Sequence, residues 1–143
     1  MTRRWRGAAV LLGCGVVIGV LLVASGSVWA GVALFVLFAV VAAVVSPRAF
    51  PRSMSDAQAR ERSAADGWPI VYWRPGCPFC MRLRASLGRD AGRAHWVDIW
   101  DDPDGAASVR AVTGGDETVP TVVFRGEATV NPNPWRVREM VRR

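Results

Sequence analysis

The chain has 143 residues, of which 51% are hydrophobic, so it is too apolar to be disordered and too short for two ordinary domains. Its 18 basic residues, all arginine, exceed 12 acidic residues and give a net charge of +6, while three cysteines and one histidine exclude a disulfide-dense scaffold. Five of the six surplus charges come from the arginines at positions 3, 4, 6, 48 and 52. The charges from Ser53 onward nearly balance, which argues against nucleic-acid binding.

The uncharged stretch at 7–45 predicts two membrane-spanning helices. As one helix its 39 residues would extend about 58 Å at 1.5 Å per residue, roughly twice the hydrocarbon thickness of about 30 Å. A small polar turn, Ser25-Gly26-Ser27, interrupts the run, so we predict spans at 7–24 and 28–45. A cleaved signal peptide is disfavoured because a second apolar span follows the first. Cys14 is predicted to be a small buried membrane residue.

The distribution of arginine predicts the orientation of this transmembrane hairpin. Arginines flank it on both sides, whereas the turn between the spans carries none. Because positive residues stay on the cytoplasmic side, residues 1–6 are predicted to form a basic cytoplasmic tail, and the chain after the hairpin should also be cytoplasmic. The sequence therefore predicts a multi-pass plasma-membrane protein that contacts lipid and exposes its remaining domain to the cytoplasm.

The rest of the chain is predicted to be a linker followed by an α/β domain. Residues 46–68 form the juxtamembrane linker, with a short helix that Ser55 caps. Apolar runs and turn residues over 69–143 predict the order β-α-β-α-β-β-α. The predicted strands are 70–73, 95–100, 119–124 and 128–130, and the helices start near Pro78, Pro103 and Pro134. His95 is predicted to be an ordinary strand residue.

Two cysteines lie where the first predicted strand ends and a helix begins. Cys77 would lie at the helix N-terminus, where free N–H groups, the helix dipole and Arg74 lower the pKa of a thiol. Cys80 would lie one turn further along, close enough to form a disulfide with Cys77. We therefore predict that Cys77 attacks and Cys80 resolves the mixed disulfide. No second cysteine pair supports a zinc site, so no metal is predicted, and a structural disulfide is disfavoured in a reducing cytoplasm.

The element order, with C-x-x-C after the first strand and a proline-bearing third strand, resembles the thioredoxin fold. Residues 75–80 (Pro-Gly-Cys-Pro-Phe-Cys) and 118–120 (Thr-Val-Pro) resemble the glutaredoxin active site. Residues 112–132 are most similar to mycoredoxins, the glutaredoxin-like reductases of bacteria that use mycothiol. The resemblance covers about half of the chain, residues 69–143. The predicted fold is thus a thioredoxin-like (glutaredoxin) α/β domain preceded by a two-helix transmembrane hairpin.

The resemblance implies further roles for individual residues. It implies that Cys77 is the nucleophile and Cys80 the resolving thiol. It also implies a cis peptide bond between Val119 and Pro120, which would present the Val119 backbone to a thiol substrate. Arg74 stands where glutaredoxins often have lysine and would meet a substrate carboxylate. Phe79 and Thr118 would line the substrate groove, although both could equally serve in packing.

The predicted function is a thiol–disulfide oxidoreductase that reduces protein disulfides or mixed disulfides with a low-molecular-weight thiol. Glutathione-dependent glutaredoxins usually have G-G-x-x-D after the last strand, whereas residues 130–133 here are Val-Asn-Pro-Asn. This difference favours mycothiol over glutathione as co-substrate, with no bound cofactor. Pro78 disfavours the iron–sulfur binding found in some glutaredoxins. Two alternatives stay open: an outward-facing thiol oxidase or isomerase, and a non-enzymatic membrane redox sensor or adaptor.

Overall fold

The computed structural model describes residues 5–142, which divide into two compact units between Ala49 and Phe50. Residues 1–4 of the predicted basic tail lie outside the described residues. The first unit is a helical hairpin of α1 (Arg6–Ala24) and α2 (Val28–Val45). Their mean hydropathies are 2.6 and 2.8, so both helices are long and apolar enough to cross a membrane, judged by length and composition alone.

Glycines allow α1 and α2 to approach closely. A β-carbon added at Gly15 would lie 2.7 Å from Cβ of Phe38, and one added at Gly31 would lie 2.8 Å from the carbonyl oxygen of Gly19. Small residues at such positions let helix backbones pack without side chains between them. Cys14 lies on the outer surface of the hairpin, the side that would face lipid if the helices span a membrane.

The second unit contains a four-stranded mixed sheet in the order β2-β1-β3-β4. Its strands are β1 (Ile70–Trp73), β2 (His95–Asp98), β3 (Thr121–Phe124) and β4 (Glu127–Val130). β1 pairs parallel with β2 and antiparallel with β3, which pairs antiparallel with β4. β2 ends two residues earlier than predicted, because the carbonyl of Asp98 accepts turn hydrogen bonds from Asp101 and Asp102. β3 begins only after Pro120, which has no N–H to donate to a ladder.

Four helices complete this unit and confirm the predicted α/β fold. They are α3 (Asp56–Asp66), α4 (Pro78–Leu87), α5 (Pro103–Thr113) and α6 (Pro134–Met140). The last three have proline at their first position, where its missing N–H costs nothing, and each is preceded by a side chain that caps the helix. α4 packs against α6, and α3 packs against β1, β2 and α5. The core includes the fully buried side chains Val71, Leu83, Val97, Val109, Val122 and Val137.

Residues 50–68, predicted to be linker, pack onto the sheet as part of the second unit. The ring of Phe50 stacks on that of Trp73, with centroids 3.8 Å apart. Ser53 Oγ accepts a hydrogen bond from the Trp73 indole at 3.0 Å, and the Met54 N–H donates to the carbonyl of Trp96 in β2 at 2.9 Å. The folded domain therefore begins near Phe50 rather than at residue 69.

Asp56, at the start of α3, joins three elements through its buried carboxylate. Oδ1 accepts from the Tyr72 hydroxyl of β1 at 2.5 Å, while Oδ2 accepts from Arg60 Nε at 2.7 Å and from Ser108 Oγ of α5 at 3.1 Å. Burial alone would raise the pKa of Asp56, but the hydrogen bonds from Tyr72 and Arg60 outweigh it and lower the pKa. The charged form of Asp56 therefore holds α3 against the sheet.

Candidate active site

The loop between β1 and α4 positions Cys77 at the end of a helix. Gly76 has φ of +77°, a left-handed conformation that glycine adopts without steric cost, and Pro78 then begins α4. Cys77 occupies the N-cap position, where its sulfur accepts a hydrogen bond from the Cys80 N–H at 3.2 Å. This is the helix-terminal position that the sequence predicts for Cys77.

The pKa values of the two thiols are shifted in opposite directions. The pKa of Cys77 is lowered to about 6, chiefly because the Cys80 thiol donates a hydrogen bond to its sulfur. Burial opposes this effect, while the N–H groups of Cys80 and Phe79 and the charge of Arg74 add to it. The pKa of Cys80 is raised by the same hydrogen bond and by its complete burial. At neutral pH, Cys77 is therefore the thiolate and Cys80 the thiol.

The loop before β3 lies beside the Cys77 sulfur. The peptide bond between Val119 and Pro120 is cis, as the resemblance implies. In its protonated form, Cys77 donates to the Val119 carbonyl at 3.5 Å. Two hydrogen bonds hold the loop: Thr121 Oγ1 donates to the Thr118 carbonyl at 2.7 Å, and the Asn131 N–H donates to the Pro120 carbonyl at 2.7 Å. The backbone beside the sulfur is thus fixed on both sides.

A cavity of about 740 Å³ opens at Cys77 and brings most of the predicted site residues together. Of those predicted, Pro120 and Cys80 are buried and do not line the cavity. Four lining residues, Trp100, Asp116, Glu117 and Asn131, belong neither to the predicted site residues nor to the motif at 75–80. The walls are formed by Arg74, Pro75, Gly76, Cys77, Pro78, Phe79, Trp100, Asp116, Glu117, Thr118, Val119 and Asn131.

The predicted Arg74 and two unpredicted acidic residues determine the charge of this cavity. Arg74 lies over the ring of Trp100, 5.9 Å from its centroid, and supplies the cation among the lining residues. Asp116 and Glu117 supply two carboxylates on the opposing loop, and Glu117 accepts a hydrogen bond from Arg110 at 2.6 Å. The signal for them in the sequence is their position directly before Thr118, since residues that adjoin a groove motif along the chain also lie close to it in space.

Potential metal-binding side chains come together in pairs at most within the part of the chain that the structure describes. Within residues 5–142, no three His, Cys, Asp or Glu side chains are grouped so as to hold a metal ion. The His95 ring is buried in β2, where Nε2 lies 3.0 Å from both carboxylate oxygens of Asp66. His95 does not line the Cys77 cavity, in keeping with its prediction as a strand residue.

The acidity of Cys77 predicts an unusual pH profile for alkylation. In a chain with Cys14→Ala, the rate of iodoacetamide reaction at Cys77 should reach half its maximum near pH 6, because the thiolate is the reacting form. The Cys80→Ala variant should shift this midpoint upward, and Cys80→Ser should shift it less because its hydroxyl can still donate. A midpoint near the ordinary thiol value of about 8.5 in the Cys14→Ala chain would contradict the assignment.

Comparison with known proteins gives a consistent set of similarities. The family model described as Glutaredoxin matches residues 70–129. Two proteins of Mycobacterium tuberculosis, from strains CDC 1551 and H37Rv and each described as a "Putative glutaredoxin", are 35% identical to the chain over 69 residues. The matched region covers 48% of this chain and 82% of each relative. No solved structure shows a significant match.

Proposed function

Because the chain belongs to the glutaredoxin family, we propose that it is a membrane-anchored reductase of protein disulfides and of mixed disulfides between proteins and a low-molecular-weight thiol. The observation that carries this proposal is the pairing of an acidic, cavity-lining Cys77 with a fully buried, protonated Cys80. A thiolate at neutral pH is the species that attacks a disulfide. A neighbouring thiol can then complete the exchange.

The reaction proceeds by two thiol–disulfide exchanges. The Cys77 thiolate attacks one sulfur of the substrate disulfide, forms a mixed disulfide and releases the other sulfur as a thiolate. Cys80 loses its proton, attacks Cys77 Sγ and releases the second substrate thiol, so that the substrate gains two electrons and the protein holds a Cys77–Cys80 disulfide. Two molecules of the low-molecular-weight thiol then reduce this disulfide and leave as their own disulfide. In a monothiol route, the small thiol attacks the mixed disulfide at Cys77 directly.

The charge of the Cys77 cavity supports mycothiol as the small thiol. At neutral pH glutathione carries two carboxylates and one ammonium group, whereas mycothiol is an uncharged conjugate rich in sugar hydroxyls. The cavity offers Arg74 to one carboxylate and Asp116 to the ammonium group, but the second carboxylate would find no further cation among the lining residues and would be repelled by Asp116 and by Glu117, whose charge Arg110 partly neutralises. These carboxylates and the Asn131 side chain are suited to hydrogen bonds with hydroxyl groups. The cavity thus favours a neutral polyol over a dicarboxylate.

This preference predicts different rates for two mixed disulfides of the same peptide. The chain should reduce the mycothiol conjugate about tenfold faster than the glutathione conjugate, measured as kcat/KM. Combining Asp116→Asn with Glu117→Gln should raise the rate for glutathione about threefold to tenfold by removing the repulsion. The exposed Glu127→Gln change in β4 serves as the matched control. A faster glutathione reaction in the unaltered chain would refute the preference for mycothiol.

The two apolar helices and their flanking arginines support a multi-pass anchor with the redox domain in the cytoplasm. We expect a membrane-impermeant maleimide to leave Cys77 unlabelled in intact cells and to label it after lysis. The Cys14→Ala background restricts labelling to the active-site pair. Labelling of Cys77 before lysis would instead support the outward-facing oxidase or isomerase. Release of the protein from membranes by carbonate would contradict the anchor itself.

A further inference from the structure

A second groove adjoins the Cys77 cavity along α4 and α6. It encloses about 530 Å³ and shares Phe79 and Asn131 with that cavity, so the two adjoin at these residues. Its other walls are Arg82, Leu83, Ser86, Pro132, Asn133, Pro134 and Trp135. A segment bound at Cys77 can therefore continue across Phe79 into this groove.

Exposed aromatic rings line the groove. Phe79 is 54% exposed and Trp135 is 69% exposed, although both are large and apolar. Trp135 lies in the first turn of α6, where its N–H donates a hydrogen bond to the side chain of the capping residue Asn133 at 3.0 Å. Aromatic side chains held in this way on a rigid element are typical anchors at protein interfaces.

The charge of the groove differs from that of the Cys77 cavity. Arg82 is exposed along its wall, and the Arg138 guanidinium lies over the Trp135 ring, 5.5 Å from its centroid. Among the described residues, those lining the groove include no aspartate or glutamate, whereas Asp116 and Glu117 line the neighbouring cavity. A ligand that extends from Cys77 into the groove thus passes from acidic to basic surroundings, which favours negative charge on the part beside Arg82.

We propose that this groove, referred to below as the α4–α6 groove, binds the protein partner of the disulfide: an extended segment with an apolar residue and acidic residues close to its reactive cysteine. The inference rests on the proposed reductase function and adds the class of protein substrate. The apolar residue packs on Phe79 and Trp135, and the acidic residues pair with Arg82. The small thiol occupies the Cys77 cavity. The protein part and the small-thiol part of a mixed disulfide therefore bind at separate sites.

The test compares two peptides in single-turnover reactions with the reduced full chain in phosphatidylcholine nanodiscs. Both carry one cysteine in a mixed disulfide with 2-mercaptoethanol and a nearby leucine, and they differ only in two flanking residues, aspartate or lysine. At low salt the acidic peptide should react about tenfold faster, and the ratio should fall at high salt. Arg82→Glu should abolish or invert this ratio. Arg89→Glu, the same charge change on an exposed residue outside the groove, should preserve it.

Two further measurements separate the possible outcomes. Trp135→Ala should slow both peptides about tenfold relative to hydroxyethyl disulfide, which has no flanking residues. Equal rates for the two peptides, with normal reduction of hydroxyethyl disulfide, would overturn the groove proposal and leave the reductase function intact. No reduction of any disulfide would overturn the function itself. Equal rates that fall together when phosphatidylglycerol is added would assign the groove to lipid and also refute the proposal.

Discussion

Replacing Cys77 by serine should lower the rate of mixed-disulfide reduction by a factor on the order of 10³ or more, the scale of loss seen when an enzyme's nucleophile is removed. The cause is the acidity of the site, since hydrogen bonds from Cys80 and the N–H groups at the start of α4 stabilise a thiolate. A serine hydroxyl stays protonated at the same position and cannot attack sulfur. The measurement is the single-turnover release of thiol from hydroxyethyl disulfide, for which the loss should be complete within error.

The matched variant is Cys80→Ser, which keeps the nucleophile and removes the second thiol. It should retain the first exchange and accumulate a stable mixed disulfide at Cys77, detectable by mass. If added small thiol restores turnover in Cys80→Ser, the monothiol route operates; if turnover stays lost, the reaction requires both cysteines. Full activity in Cys77→Ser would show that the reaction is carried elsewhere in the chain.

The Asp56→Ala change should lower the free energy of unfolding of the second unit by about 3 kcal/mol. The substitution leaves the buried Tyr72 hydroxyl without its acceptor and removes the ion pair with Arg60. Urea unfolding of the full chain in mild detergent, followed by the change in tryptophan fluorescence to which the buried Trp73 and Trp96 contribute, measures this difference. The cysteines lie outside this cluster, so the change in stability is separable from the chemistry.

Two controls define what Asp56 contributes. Glu61→Ala, on an exposed position of α3, should change the free energy of unfolding by less than about 0.5 kcal/mol. Adding Tyr72→Phe to Asp56→Ala should restore part of the loss, because the orphaned hydroxyl is removed with its partner. Additive effects of Asp56→Ala and Tyr72→Phe would contradict this coupling.

The stabilisation by Asp56 should also depend on pH. Because folding lowers the pKa of Asp56, its contribution to the free energy of unfolding is complete above the unfolded value of about 3.9 and is lost as pH falls through the folded value.

Local sequence signals were sufficient to predict the framework of the second unit. Proline at the first helical position and a capping side chain identify three helix starts, and short apolar runs identify the strands between them. The position of Cys77 follows from the same signals, since a capping residue before Pro78 must lie at a helix end. These features depend on neighbours within a few residues, which is why a single sequence reveals them.

Features that depend on distant partners could not be predicted in this way. Asp56 resembles any acidic residue at a helix start until Tyr72 and Ser108 are brought to it from other elements. The same holds for Trp135, because an aromatic residue after a helix start indicates packing as readily as an exposed groove. The folded position of residues 50–68 was missed for this reason, since their composition is that of a solvated linker.

The hydrogen bond between Met54 and Trp96 has a consequence for solubility. It covers part of the outer edge of β2, and Phe50 covers the indole of Trp73 beside it, whereas β4 at the other edge is exposed along its length. Unpaired strand edges are templates for intermolecular pairing and aggregation. A shortened chain beginning at residue 69 would present two open edges and an uncovered tryptophan. We therefore expect residues 50–68 to limit self-association of the domain, and a fragment that begins at Phe50 to aggregate less than one that begins at residue 69.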